Sequence, residues 1–88
     1  VKILAVCGSG LGSSFMLEMN IRDILKELGI EAEVEHSDLA SATQDAADWF
    51  VMAKDIASSA THLKNVISLN SVIDKVELKG KLQEILVD

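Results

Sequence analysis

The chain has 88 residues, enough for one hydrophobic core and too few for a second catalytic unit, so residues 1–88 are expected to form a single domain. Hydrophobic residues make up 49% and charged residues 25%, which excludes an intrinsically disordered chain, and no apolar run approaches the roughly 20 residues of a membrane-spanning helix. Fourteen acids against eight bases, a formal net charge of −6, disfavour a nucleic-acid partner, because phosphate backbones are bound through lysine and arginine. The opening residues Val1–Val6 are too short for a signal peptide, so a cytoplasmic location is expected, without direct membrane insertion. One cysteine makes no internal disulfide, and His36 and His62 lack partners at metal-ligand spacing; neither metal nor cofactor is expected.

In chain order, Lys2–Val6 is short, continuous and apolar after its lysine, the pattern of a central parallel strand covered on both faces. A glycine-rich turn follows. From Ser14 to Leu28 the apolar residues Leu17, Ile21, Ile24, Leu25 and Leu28 recur at helical spacing, with Glu18, Arg22, Asp23, Lys26 and Glu27 covering the other face and Gly29 as the stop. Glu31–His36 alternates acid with less polar residues, which predicts a strand at a sheet edge with one face in water. Residues 39–47 suggest a short helix. Asp48–Ala53 reads as a buried strand, Lys54–Ala60 as a polar break with a brief helix or turn, and Asn65–Leu69 as a fourth strand. Ile73, Val76, Leu78, Leu82, Ile85 and Leu86 outline a closing helix in which Gly80 costs about 1 kcal/mol relative to alanine. Alternation of strand and helix predicts an α/β fold: a four-stranded parallel sheet with right-handed crossovers and helices on both faces. An acidic edge strand and an apolar central first strand give the order 2-1-3-4.

In such a sheet the ligand crevice lies beyond the carboxyl ends of the strands, at the switch point. The turn after the first strand, Cys7-Gly8-Ser9-Gly10-Leu11-Gly12-Ser13-Ser14, is located there. Gly8, Gly10 and Gly12 allow successive N–H groups to form an anion nest, and the following helix adds its positive end. Neither nucleotide motif fits: the dinucleotide pattern needs glycine at position 13, where Ser13 stands, and the P-loop needs a lysine that Gly12-Ser13-Ser14 lacks. The nest that holds a phosphate also favours a thiolate, so Cys7 reads as a nucleophile inside its own phosphate cradle. A small buried cysteine at a strand end is the competing reading.

The segment "ILAVCGSGLGSSFML" resembles the active-site loop of enzyme IIB components of the bacterial phosphoenolpyruvate-dependent sugar phosphotransferase system, in particular the ascorbate type within the lactose/ascorbate superfamily. The likeness is sharp from residue 3 to about residue 17 and coarse over the rest. It implies a Rossmann-like fold similar to low-molecular-weight tyrosine phosphatases. It also implies a phosphotransferase that accepts a phosphoryl group on Cys7 from the phosphohistidine of enzyme IIA and passes it to a sugar or sugar acid in membrane enzyme IIC. By the match, Cys7 is the phosphoryl carrier and Gly8, Ser9, Gly10, Leu11, Gly12, Ser13 and Ser14 surround the phosphate, with Ser13 ranked first among the hydroxyl donors. Peripheral association with the transporter is implied, and ascorbate is the implied substrate, although galactitol-type components have a related loop.

Two other functions stay open: a phosphorylation-dependent regulatory module of the same fold, and a thiol-dependent phosphatase. The phosphatases place an arginine six positions after their cysteine, where this chain has Ser13. Asp55 and Asp74 read as solvated or capping residues, with the acid of a phosphatase as the alternative. His36 reads as a partly exposed strand end, a phosphoryl relay or base being its functional alternative; Lys54 reads as a solvated lysine or a phosphate aid. Trp49 is expected in the core or against a helix. Met16 and Met19 are expected either to fill the core or to help dock partner proteins.

Overall fold

Residues Lys2–Cys7 form strand β1, and Ile3, Leu4, Ala5 and Val6 are all at most 4% exposed, as a strand covered on both faces requires. The structure, a computed structural model, describes residues 1–7, 11–71 and 74–86, and of residues 11–14 the backbone only. Helix α1 spans Leu11–Leu28, β2 Glu33–Asp38, β3 Trp49–Ala53, helix α2 Lys54–Ala57, β4 Val66–Leu69 and helix α3 Lys75–Leu86. The four strands make one all-parallel sheet in the order β2-β1-β3-β4, as expected.

Side-chain alternation sorts the core into two layers. Ile3 and Ala5 of β1, with Val34, Val51, Ile67 and Leu69, pack beneath α1 and α3. Leu4, Val6, Phe50 and Met52 face the other way, against Ala42, Ala60 and Leu63. That second face is covered by the single turn of α2, a 3-10 turn at Gln44–Ala46 and irregular chain. Trp49 packs against the first layer, partly buried.

Several expectations move. Strand β1 takes in Cys7, expected to open the turn, and β3 and β4 each begin one residue later than expected, at Trp49 and Val66. Helix α1 starts at Leu11, three residues before the expected Ser14, so Gly12, Ser13 and Ser14 belong to its first turn and not to a loop. Strand β2 is Glu33–Asp38, not Glu31–His36, because the chain needs residues 30–32 to travel from helix to sheet: the Ile30 N–H donates to the Leu25 carbonyl at 2.9 Å and the Gly29 N–H to that of Lys26 at 3.2 Å. Those two bonds, with Gly29 at φ +70°, form a Schellman stop that uses residue 30. The helix expected over 39–47 is replaced by turns, since the Asp38 carboxylate accepts the Ser41 N–H at 2.8 Å and competes with helical pairing. Val76 is 83% exposed and not part of the closing helix's apolar stripe; two residues before the buried Leu78, it lies on the opposite side of α3. Ile73, expected in that stripe, lies outside the described residues.

Candidate functional site

Cys7 is the last residue of β1 and is half-buried. Its carbonyl accepts the Leu39 N–H at 2.9 Å, which ties the end of β1 to the start of the chain leaving β2. Because Ile3 and Ala5 point into the α1 layer, alternation places Cys7 on the same face. From β1 the chain winds to β2 on one side and then crosses to β3 on the other, so Cys7 stands at the switch point where open α/β sheets bind ligands.

Only residues 8–10 separate Cys7 from α1. The first turn of that helix, Leu11–Ser14, contains no acid, so its unpaired N–H groups and positive end are not neutralised by a side chain of that turn. Of the expected phosphate-holding residues, the structure thus places Cys7 and the backbone of Leu11, Gly12, Ser13 and Ser14 at this edge. Gly8, Ser9 and Gly10, and the hydroxyls of Ser13 and Ser14, lie outside what is described.

Two neighbours were not singled out in the sequence. Asp38 pairs directly with Cys7 across the β1–β2 register. The hydroxyl and amide of Ser41 hold the Asp38 carboxyl below the usual carboxylate range. Glu18, assigned by its charge to the solvated side of α1, is 8% exposed. Its Oε1 bonds to His36 Nδ1, and its Oε2 accepts Arg22 Nε–H at 2.9 Å. Arg22 also donates to the Val34 carbonyl. Burial is the largest single influence on Glu18 and pushes its carboxyl up, but the bonds from His36 and Arg22 together hold it below the ordinary value. His36 is not a strand end: it sits in mid-strand opposite Ala5, with the Phe15 ring edge-on at 5.8 Å. The available signals were the period of two linking Val34, His36 and Asp38, and the position of Glu18 beside Leu17 at the border of the apolar stripe.

Elsewhere, Lys54 and Asp55 are exposed in α2. Asp74 caps α3, its Oδ1 accepting the N–H of Val76 at 3.0 Å and of Glu77 at 3.2 Å. Met16 and Met19 are 56% and 44% exposed, and with Phe15 at 51% they leave an apolar patch on the first turns of α1, not core filling. Among the described residues no group of His, Cys, Asp and Glu is arranged to hold a metal ion, and no helix is long and apolar enough to cross a membrane.

The fold and site define an all-parallel α/β domain that presents a cysteine at its switch point, just ahead of an acid-free helix N-terminus. Residues 2–84 match the family described as "PTS system, Lactose/Cellobiose specific IIB subunit", and the chain belongs to that family of phosphotransferase components. Among curated proteins it is similar to the ascorbate-specific PTS system EIIB component of Mycoplasma pneumoniae, at 26% identity over 98% of this chain and 95% of that protein. It is also similar to the components of the same name from Salmonella typhimurium, at 29% identity, and Escherichia coli O157:H7, at 28%, each over 98% of this chain and 89% of the relative.

Proposed function

We propose that the protein is a phosphoryl carrier in which the Cys7 thiolate takes a phosphoryl group from the phosphohistidine of an enzyme IIA and gives it to a sugar acid held by a membrane enzyme IIC. The observation that carries this is the position of Cys7 at the switch point, separated by three residues from a helix with no acid in its first turn, in a chain that matches the IIB family over residues 2–84. In the first step the sulfur attacks phosphorus, the S–P bond forms and the P–N bond breaks, and the donor imidazole leaves neutral with the proton on its other nitrogen. In the second, the substrate hydroxyl oxygen attacks, the S–P bond breaks and the thiolate is restored, while the hydroxyl proton passes to solvent or to a base on IIC. Backbone N–H groups of the 8–14 segment neutralise charge on the equatorial oxygens. Cys7 at the end of a strand and a helix N-terminus provide the nucleophile and the cradle in one place.

Ascorbate is the proposed substrate, on the names of relatives that are 26–29% identical over nearly all of this chain. Residues 1–88 act as one IIB domain at the cytoplasmic face of the transporter. Phe15, Met16 and Met19 form the apolar part of the surface on which IIA and IIC alternate. The test is intact mass after incubation with phosphoenolpyruvate, the general phosphotransferase proteins and candidate IIA components, under mildly alkaline conditions that preserve phosphocysteine. One added phosphoryl group in the wild type and none in Cys7→Ser is the expected result; no addition from a charged, cognate donor rejects the carrier reading.

A further inference from the structure

Glu18 is the one charged side chain that is buried among the described residues, and the transfer chemistry above makes no use of it. A buried carboxylate costs free energy that an apolar residue in the α1–β2 contact would not. Here the cost is offset by the bonds of Glu18 to His36 and Arg22, and those bonds also order the imidazole. Glu18 Oε1 takes Nδ1, the Phe15 ring stands at 78° to the imidazole, and Arg22 fixes the second oxygen of Glu18 while bonding to the Val34 carbonyl. With Nδ1 engaged, Nε2 is the remaining hydrogen-bonding atom of a side chain that is still 34% exposed.

The register brings this ring to the site. His36 lies opposite Ala5 and Asp38 opposite Cys7, and all four belong to the sheet face beneath α1. His36 is therefore the diagonal neighbour of Cys7. In a parallel pair about 4.8 Å apart, with a rise of about 3.3 Å per residue, their Cα atoms are about 8 Å apart, a gap that an imidazole and a phosphoryl group carried on sulfur span together. Among the described residues, Glu18 of α1 bonds the ring, Arg22 of α1 bonds the other oxygen of Glu18, and Asp38 shares the ring's face of β2.

We propose that Glu18 and His36 form a positioning dyad for the phosphoryl group of the carrier: Glu18 holds the ring through Nδ1, and the Nε2–H of the ring donates to an oxygen of the phosphoryl group on Cys7. This rests on the carrier reading. With a proton on each ring nitrogen the ring bridges the Glu18 carboxylate and the phosphoryl oxygen, and it orients the group without taking part in bond making. Loss of one such charge-assisted bond corresponds to a roughly tenfold to hundredfold slower loading of Cys7.

The experiment charges the wild-type protein from phosphoenolpyruvate through a IIA donor, removes the donor proteins, and records the ring nitrogens of His36 by NMR in the thiol and phospho forms. Loading rates are measured in parallel for His36→Ala, His36→Gln and Glu18→Gln, with the thermal midpoint of each. The expected result is a His36 Nε2 signal that shifts and becomes protected from exchange only in the phospho form. His36→Ala should load ten to a hundred times more slowly, with partial recovery in His36→Gln, whose amide donates a hydrogen bond. If Cys7 is charged while the His36 signals stay unmoved, the dyad is overturned and the carrier reading stands, even where His36→Ala is slow, since a slow variant alone marks a structural clasp. If charged donor leaves Cys7 of the wild type unmodified, both readings fall together.

Discussion

Acid should weaken the clasp that Glu18 makes between α1 and β2, and the sign follows from its shifted titration. Its carboxyl lies below the ordinary value in the folded protein because His36 and Arg22 outweigh the larger upward push of burial. A lowered folded value means that the stabilisation is present above the unfolded value and is lost as pH falls through the folded one. Urea midpoints should therefore fall less steeply in Glu18→Gln than in the wild type between about pH 6 and about pH 3. Asp38 and Glu77 are lowered too and keep their own acid sensitivity in both proteins, so the difference between the two curves reports Glu18. At neutral pH, Glu18→Ala should cost roughly 1–3 kcal/mol in chemical unfolding, the usual penalty for stranding hydrogen-bond partners. The candidate nucleophile was legible at this scale, since Cys7 interrupts an apolar run at a glycine turn. Glu18 was not, because a glutamate four residues before an arginine reads as a solvated helix pair until the partner strand is in place.

At the scale of elements, α3 is held by local devices that can be tested one at a time. Asp74 caps its first turn, and Asp74→Ala should destabilise by about 1 kcal/mol, read from the thermal midpoint. Glu77 binds the amides of Asn70 and Ser71 and so fastens the loop after β4 to the same helix. Gly80 is exposed in mid-helix, and a Cβ built there meets nothing within 4 Å. Gly80→Ala should accordingly stabilise the protein by up to about 1 kcal/mol, raising the thermal midpoint by roughly 4–8 °C for each kcal/mol gained. Helix α1 offers a contrasting test on its exposed side: Met16→Glu should slow phosphoryl transfer from the IIA donor and leave the thermal midpoint within about 2 °C, because Met16 is 56% exposed and takes no part in the core. The apolar stripe of α1 was readable because 3.6 periodicity is a local property. The true bounds of β2 were not, since the departure from Gly29 and the turn at Ser41 are hydrogen bonds between residues whose spacing alone does not reveal them.

For the whole molecule, the layers on the two faces of the sheet are unequal. One face carries α1 and α3, whose Asp23–Lys75 and Glu27–Lys79 pairs run between them on the surface, while the other carries one helical turn and irregular chain. Leu78 and Leu82 are fully buried anchors of α3 on the sheet, and Leu82→Ala should cost about 2–5 kcal/mol. Set against the roughly 4–13 kcal/mol expected for a chain of this length, that loss should appear as a large drop in the urea midpoint. The sequence by itself determined the alternation of strands and helices, the central place of β1 and the acidic edge at β2, because apolar periodicity and turn chemistry act over a few residues. Only the tertiary structure decided that β2 runs on to Asp38, that Asp38 lies opposite Cys7, and that Glu18 is buried against His36. Those outcomes depend on the register between β1 and β2 and on how α1 lies across them, and a register is chosen by the contacts of the assembled core.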